Sequence, residues 1–209
     1  MRESQTAEAR PYHHGDLRRA LIDAARRLLE SEGPSALSLR AVAREAGVSP
    51  AAPYHHFKDK GELLDAVARE GWDLLDKAIV AAKAAAPSIS AAMTEIGVAY
   101  VCFATNNPAL YRVMYDTARD KESFPQQMAD GDDSPYCKVR DTLIEAGADP
   151  KATVDLELAT VAAWCAAHGL AEMSGFKQLQ HLKEATGGET NFFRAVFNHM
   201  GLSSRPLES

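Results

Sequence analysis

The sequence predicts an all-α fold: a small N-terminal domain of three helices over residues 12–60, followed by a larger helical body over 61–209. Three observations predict it. Residues 38–60, SLRAVAREAGVSPAAPYHHFKDK, carry the punctuation of a helix, a three-residue turn, a second short helix and the start of a third. Apolar residues recur at helical spacing in segment after segment. No segment shows the period-two alternation of a strand, and no internal repeat is present.

The elements follow in order. Residues 1–11 read as a tail. Asp16 is placed to cap a first helix through about Ser31, with Leu17, Leu21, Ala24 and Leu28 as its inward stripe. Glu32-Gly33-Pro34 ends it. Ser38 caps the next helix by accepting a backbone N–H, and Leu39, Val42, Ala43 and Ala46 share one face. Gly47 stops that helix, because glycine enters the left-handed region without a Cβ penalty. Ser49 is placed to cap the following helix, and Pro50 fits its first position, where no N–H is needed. Val42, Ala43, Val48 and Phe57 read as core. Asp59 to Glu62 has the pattern of a capping box, with Asp for Ser or Thr, and opens a long helix to about Ala85.

Pro87-Ser88 breaks the chain again. Residues 89–105 are apolar at 89, 93, 96, 100 and 103, the pattern of an amphipathic helix. Asn106-Asn107-Pro108 restarts a short helix that runs to about Asp116. Residues 117–134, TARDKESFPQQMADGDDS, are polar and read as a surface loop or partly ordered helix. Tyr136 to Ala146 resumes helix. Asp149-Pro150 starts a long one to about Phe176, whose interior LELATVAAWCAAHGLAEM is almost entirely apolar or small. A final helix spans roughly Glu189 to Met200.

Composition narrows the function classes. With 209 residues, 46% of them hydrophobic, the chain can bury a real core. No apolar run approaches the ~18 residues of a membrane span. The N-terminal residues MRESQTAEARPYHH hold no apolar signal segment, so a cytoplasmic protein is expected. Cys102, Cys137 and Cys165 are scattered and odd in number, which suits a reducing compartment. The net charge is −6, but residues 1–60 carry ten Lys/Arg against eight Asp/Glu, and the remainder thirteen against twenty-one. A local basic face is all that phosphate contact requires.

The N-terminal third resembles the TetR family of bacterial transcriptional regulators. The residues that carry the resemblance are Tyr12-His13-His14-Gly15-Asp16-Leu17-Arg18, then Ala46-Gly47-Val48-Ser49, Tyr54-His55-His56-Phe57, Lys58-Asp59-Lys60 and Leu63-Leu64. The resemblance implies a homodimer that binds double-stranded operator DNA through its helix-turn-helix. It implies phosphate contacts from Tyr54, His56, Lys60 and Ser38. Arg40 can offer two donors to a guanine. Ser49, Pro50, Ala51 and Ala52 face the groove, a small and mostly apolar surface, so base readout is expected to lean on Arg40, Ser49, His55 and DNA shape. His13 and His14 can meet phosphate from the N-terminal arm. Pro53 departs from the family's bulky aliphatic residue and can tilt or stiffen the recognition helix.

For the body, the resemblance implies that the helix over 150–176 and the last helix pair with a second copy. Trp164 and His168-Gly169 resemble the Trp-x-x-x-His-Gly pattern of one subgroup. They read as pocket wall, dimer contact or a packing motif in which Gly169 admits a close helix. Trp72, Phe103, Tyr111, Met114, Tyr115, Trp164 and His168 are candidate liners of a site for a small hydrophobic or aromatic effector, and also suit an ordinary core. The helix from Lys60 to about Ala85 is the expected lever between site and DNA. Repression is the leading expectation, with activation open. Other readings are a DNA-binding regulator controlled by a protein partner, and a metal or redox sensor using Cys165 and His168, whose two ligands fall short of the usual four. No GxSxG, HExxH or paired CxxC motif points to an enzyme, and no cofactor is implied.

Overall fold

The computed structural model describes residues 14–119 and 134–201; for 14–16, 118 and 119 it describes the backbone alone. The expected tail with Tyr12 and His13, the side chain of His14 and most of the 117–134 segment lie outside the described residues. Among the described residues the chain forms nine α-helices and two 3-10 turns, with no strand. It divides into two compact units between Val67 and Ala68.

In the first unit, α1 (His14–Glu32) begins two residues before the expected cap. The backbone of Asp16 therefore sits inside the first turn and not at the cap. Leu17, Leu21, Ala24 and Leu28 are buried as one stripe. The second helix, α2 (Leu39–Glu45), is capped by the Ser38 hydroxyl, which accepts the Ala41 N–H at 3.1 Å. It ends in a Schellman motif: Val48 N–H donates to Ala43 O, Gly47 N–H donates to Arg44 O, and Gly47 adopts φ +70. Val48, expected in the core, is only half-buried, because it follows the left-handed glycine out of the helix line. Arg27 bridges α1 to Glu45 at 2.7 Å.

The expected recognition helix is a 3-10 turn over Ala52–His55, with no side-chain cap at its start. Ser49 is therefore not a side-chain cap here. Pro53 explains both corrections. It has no N–H to give to Ser49 O, so Ser49 O instead accepts from Ala52 N–H at 3.0 Å. The turn continues in three-residue bonds, Tyr54 N–H to Ala51 O and His56 N–H to Pro53 O. The Pro53 ring and Phe57 are buried. The long helix α3 (Lys60–Ala85) then starts on Asp59, whose Oδ1 accepts the Glu62 N–H at 2.9 Å. Glu62 reaches back to the Lys58 N–H at 2.7 Å, one residue earlier than in a standard capping box.

The second unit is built around α4 (Ile89–Asn106), capped by Ser88. It was expected to be amphipathic but is buried on most of its circumference, because it packs against α5 (Pro108–Arg119), α6 (Pro135–Glu145), α7 (Thr153–Met173) and α9 (Glu189–His199). The helix α7 starts later than expected. The Asp149 carboxylate takes the Lys151 N–H at 2.9 Å and holds 149–152 as a turn. It also stops before Phe176, at Ser174-Gly175. A 3-10 turn over Lys177–Leu179 and a short α8 (Gln180–Ala185) follow, neither of which the sequence pattern suggested.

The α4–α9 crossing is close because Gly97 has no side chain. A Cβ there would stand 2.7–2.9 Å from ring carbons of Phe197. Arg194 on α9 clasps Glu95 on α4 with two bonds of 2.6 and 2.9 Å. Lys138 of α6 pairs with Asp76 of α3 at 2.6 Å.

Gly97→Ala is expected to destabilise the protein by about 1–3 kcal/mol in urea unfolding, because the Phe197 ring must move. The Arg194 guanidinium holds the Glu95 carboxyl below the usual range, with burial opposing it. That contribution is complete above the ordinary glutamate value of about 4.3 and is lost as pH falls through the lowered folded value. Glu95→Gln should therefore cost about 1 kcal/mol or less at neutral pH, Arg194 being partly exposed. Its cost should vanish in acid.

Candidate nucleic-acid interface and aromatic site

The first unit presents its candidate DNA contacts on one stretch. Ser38, Arg40, Ser49, Pro50, Ala51, Tyr54 and His55 are exposed, and Ala52 and His56 are half-buried. Tyr54 is 53% exposed, far more than the buried tyrosines of the second unit. Lys60 is exposed too, and one of its ammonium protons goes to Pro34 O at 3.0 Å. Two further donors remain on that ammonium. Arg18 lies over the Phe57 ring at 5.2 Å, so it stiffens the turn from behind. An open groove lined by Ser38, Arg40, Ala41, Arg44, Val48 and Pro50 runs along α2 beside the recognition turn.

In the second unit the structure brings five of the seven candidate pocket residues together. Trp72 meets Tyr115 edge-on at 5.3 Å and stacks near Trp164 at 6.5 Å. Tyr111, Tyr115 and His168 form a mutual cluster with centroids 4.7–5.5 Å apart. Phe103 and Met114 are buried as well. Met114 fills the space left by Gly71, where a Cβ would come within 2.6 Å of its side chain.

Sequence reasoning missed two members. Tyr100 packs edge-on to Trp164 at 5.2 Å and to Tyr111 at 6.0 Å. Tyr136 packs against Trp164 at 5.9 Å and donates to Glu157 at 2.9 Å. The available signal was a phenol within an apolar stripe: a buried Tyr hydroxyl needs a partner.

The Tyr100 oxygen is where those partners converge. It lies 3.1 Å from the Tyr111 oxygen, 2.5 Å from that of Tyr115 and 3.2 Å from His168 Nδ1. Tyr111 also bonds His168 Nδ1 at 2.5 Å. Burial pushes the Tyr100 hydroxyl far up, and the neighbouring phenols add to this. Burial also raises Tyr111 to about 12, opposed by the Tyr100 bond and reinforced by the Glu172 carboxylate. Tyr136 is raised to about 12 by burial and by Glu157. Tyr115 is raised by burial, while the Tyr100 bond and the Trp164 N–H act against the rise. That indole N–H is buried with no partner at hydrogen-bond distance among the described residues, so it acts on Tyr115 as a nearby dipole.

Gly169 corrects the packing reading given to it above. It is exposed, and nothing within 4 Å would meet a Cβ there, so within one chain it admits no close helix. Cys165 is also exposed, while the His168 ring turns its Nδ1 to the tyrosines. Among the described residues no three His, Cys, Asp or Glu side chains gather as metal ligands. No described helix is long and apolar enough to cross a membrane.

A helix-turn-helix unit with an exposed basic and hydroxyl-bearing face, attached to a separate helical body, defines a DNA-binding regulator. The model described as bacterial regulatory proteins of the tetR family matches residues 21–67. The model described as the tetracyclin repressor-like C-terminal domain matches residues 93–198, half of the chain. The chain belongs to the TetR family of bacterial transcriptional regulators. No curated protein matches it in sequence.

Among solved structures, a protein of unknown function from Rhodococcus sp. RHA1 is 29% identical with a TM-score of 0.68, over 94% of this chain and all of that one. The TetR family regulator PfmR from Thermus thermophilus is 22% identical with a TM-score of 0.59, over 90% of this chain and 99% of its own. The multidrug binding protein EbrR, in complex with imidazole, is 22% identical with a TM-score of 0.57, over 92% and 93%. The last two likenesses show the fold alone.

Raised folded values make the buried tyrosines' contribution complete below about 10 and let it drain as pH climbs through those values. Absorbance titration is expected to show a late phenolate step that coincides with alkaline unfolding by circular dichroism. Tyr100→Phe should reduce that step. Complete ionisation near the ordinary value, with the helical signal intact, would contradict the buried network.

Proposed function

We propose that the protein is a homodimeric repressor, released from a palindromic operator by a small hydrophobic or aromatic effector seated among the second unit's rings. Trp72 carries this reading. It belongs to the ring cluster, yet it stands on α3, the same helix that begins at Lys60. An effector that parts Trp72 from Tyr115 and Trp164 acts on the helix that begins at the DNA contacts. A tenfold loss of operator affinity needs only about 1.4 kcal/mol of such coupling. Tyr54, His56, Lys60 and Ser38 are assigned to phosphates. Arg40, Ser49 and His55 are assigned to base edges, with Pro50, Ala51 and Ala52 as the apolar groove contact.

Dimerisation is supported by α7, which is apolar on both sides. Leu156, Ala163, Trp164, Ala167 and Leu170 face the core. Val154, Leu158, Val161, Cys165, Gly169 and Met173 follow the opposite face at helical spacing, with Val154 70% and Leu158 63% exposed. Such a stripe suits an isologous pairing with a second copy, and the space over Gly169 leaves room for a facing helix.

One observation favours control by a protein partner instead. The rings are in mutual contact, and the cavity beside Tyr100 and Trp164 measures about 20 Å³, room for one water at most. Under the leading reading the rings open to admit the effector.

Purified protein should select genomic fragments sharing a palindrome, with affinity that falls steeply with salt. Leu158→Glu should sediment as a monomer and bind that site at least tenfold more weakly. A monomeric wild-type chain bound to a single half-site, with Leu158→Glu indistinguishable from it, would refute the dimer.

A further inference from the structure

The first unit engages four of its six described arginines internally. Arg18 lies over Phe57, Arg19 pairs with Asp23 at 3.2 Å, Arg26 with Glu30 at 4.0 Å and Arg27 with Glu45 at 2.7 Å. Arg40 and Arg44 have no partner among the described residues. Both are exposed, they stand one turn apart on α2, and both line the groove that also holds Ser38 and Pro50. The fold thus leaves unpaired the two guanidiniums that flank its recognition turn.

That turn itself offers little charge. Pro50, Ala51, Ala52 and Pro53 are small or cyclic, and the 3-10 geometry gives them no helical reach. In a helix-turn-helix the first helix of the motif crosses the DNA backbone while the second reads bases. Arg44 sits on that first helix, between the Ser38 cap and the Val48–Pro50 turn.

We propose that Arg44, which the sequence pattern does not single out, neutralises an operator phosphate beside Pro50 and sets the register in which Arg40 reads a base. A purely structural role would differ: Arg44 lies in the last turn of α2, where a cation merely complements the helix dipole.

Fluorescence anisotropy on the selected operator, with full-length protein over a salt series, separates these roles. Arg44→Ala should weaken binding about tenfold and equally for the selected operator and its single-base variants. The log–log salt slope should fall by about 0.9 for each phosphate lost. Arg44→Lys should restore most of the affinity and all of the slope, because a phosphate accepts a point charge. Unchanged affinity and slope in Arg44→Ala, with only the melting temperature lowered, would overturn the proposal in favour of the dipole role. A changed base preference at an unchanged slope would overturn it in favour of a base contact.

Discussion

The second unit depends on the burial of the Tyr100 hydroxyl. It lies in the middle of α4, a helix covered on most sides, and a phenol taken from water there must find hydrogen-bond partners or forfeit about 1–3 kcal/mol. The partners come from two other helices: Tyr111 and Tyr115 from α5, and His168 from α7. One polar atom thereby fixes the rotation of three helices about their axes. The rings that carry these hydroxyls also pack edge-on against Trp72 and Trp164, so satisfying Tyr100 also assembles the aromatic cluster. Packing alone tolerates several arrangements of apolar helices; a shared polar network tolerates few.

The first unit obeys a different constraint, the missing N–H of Pro53. Without it the recognition segment closes in three-residue bonds and stays four residues long. The side chains at its start are short and small, and other residues proposed to contact DNA lie around it. Ser38 at the cap of α2, Arg40 on α2 and Lys60 at the head of α3 flank a turn that itself holds Tyr54 and His55, with His56 directly after it.

Helix existence was legible where punctuation and period agreed. Ser38, Gly47, Asp59 and Ser88 act as the caps and stops that their positions suggest, and the α1 stripe is buried as read. The departures have local causes. Asp149 spends its carboxylate on a turn, delaying α7. The recognition segment has helical composition but lacks one donor. The short α8 is held by Lys183, which bonds Ser174 O and Glu189, and by the Gln180–Glu184 pair, contacts that hydropathy does not encode. The aromatic site was half legible. Tyr111, Tyr115, Trp164 and His168 were all among the candidates, but counting Tyr100 as merely apolar hid its hydroxyl. The two-sided apolarity of α7 was visible in the sequence; which side meets the core was decided by the residues opposite.

The central claim is that the ring cluster and the operator contacts respond to one effector through α3. Trp72 and Trp164 are the chain's two tryptophans, so their fluorescence reports the cluster directly. The decisive measurement titrates a candidate aromatic effector into the protein bound to labelled operator, reading tryptophan emission and operator anisotropy together. The account predicts that both change with one midpoint. Tryptophan emission that saturates while the operator stays bound, or operator released with the emission unmoved, would contradict it.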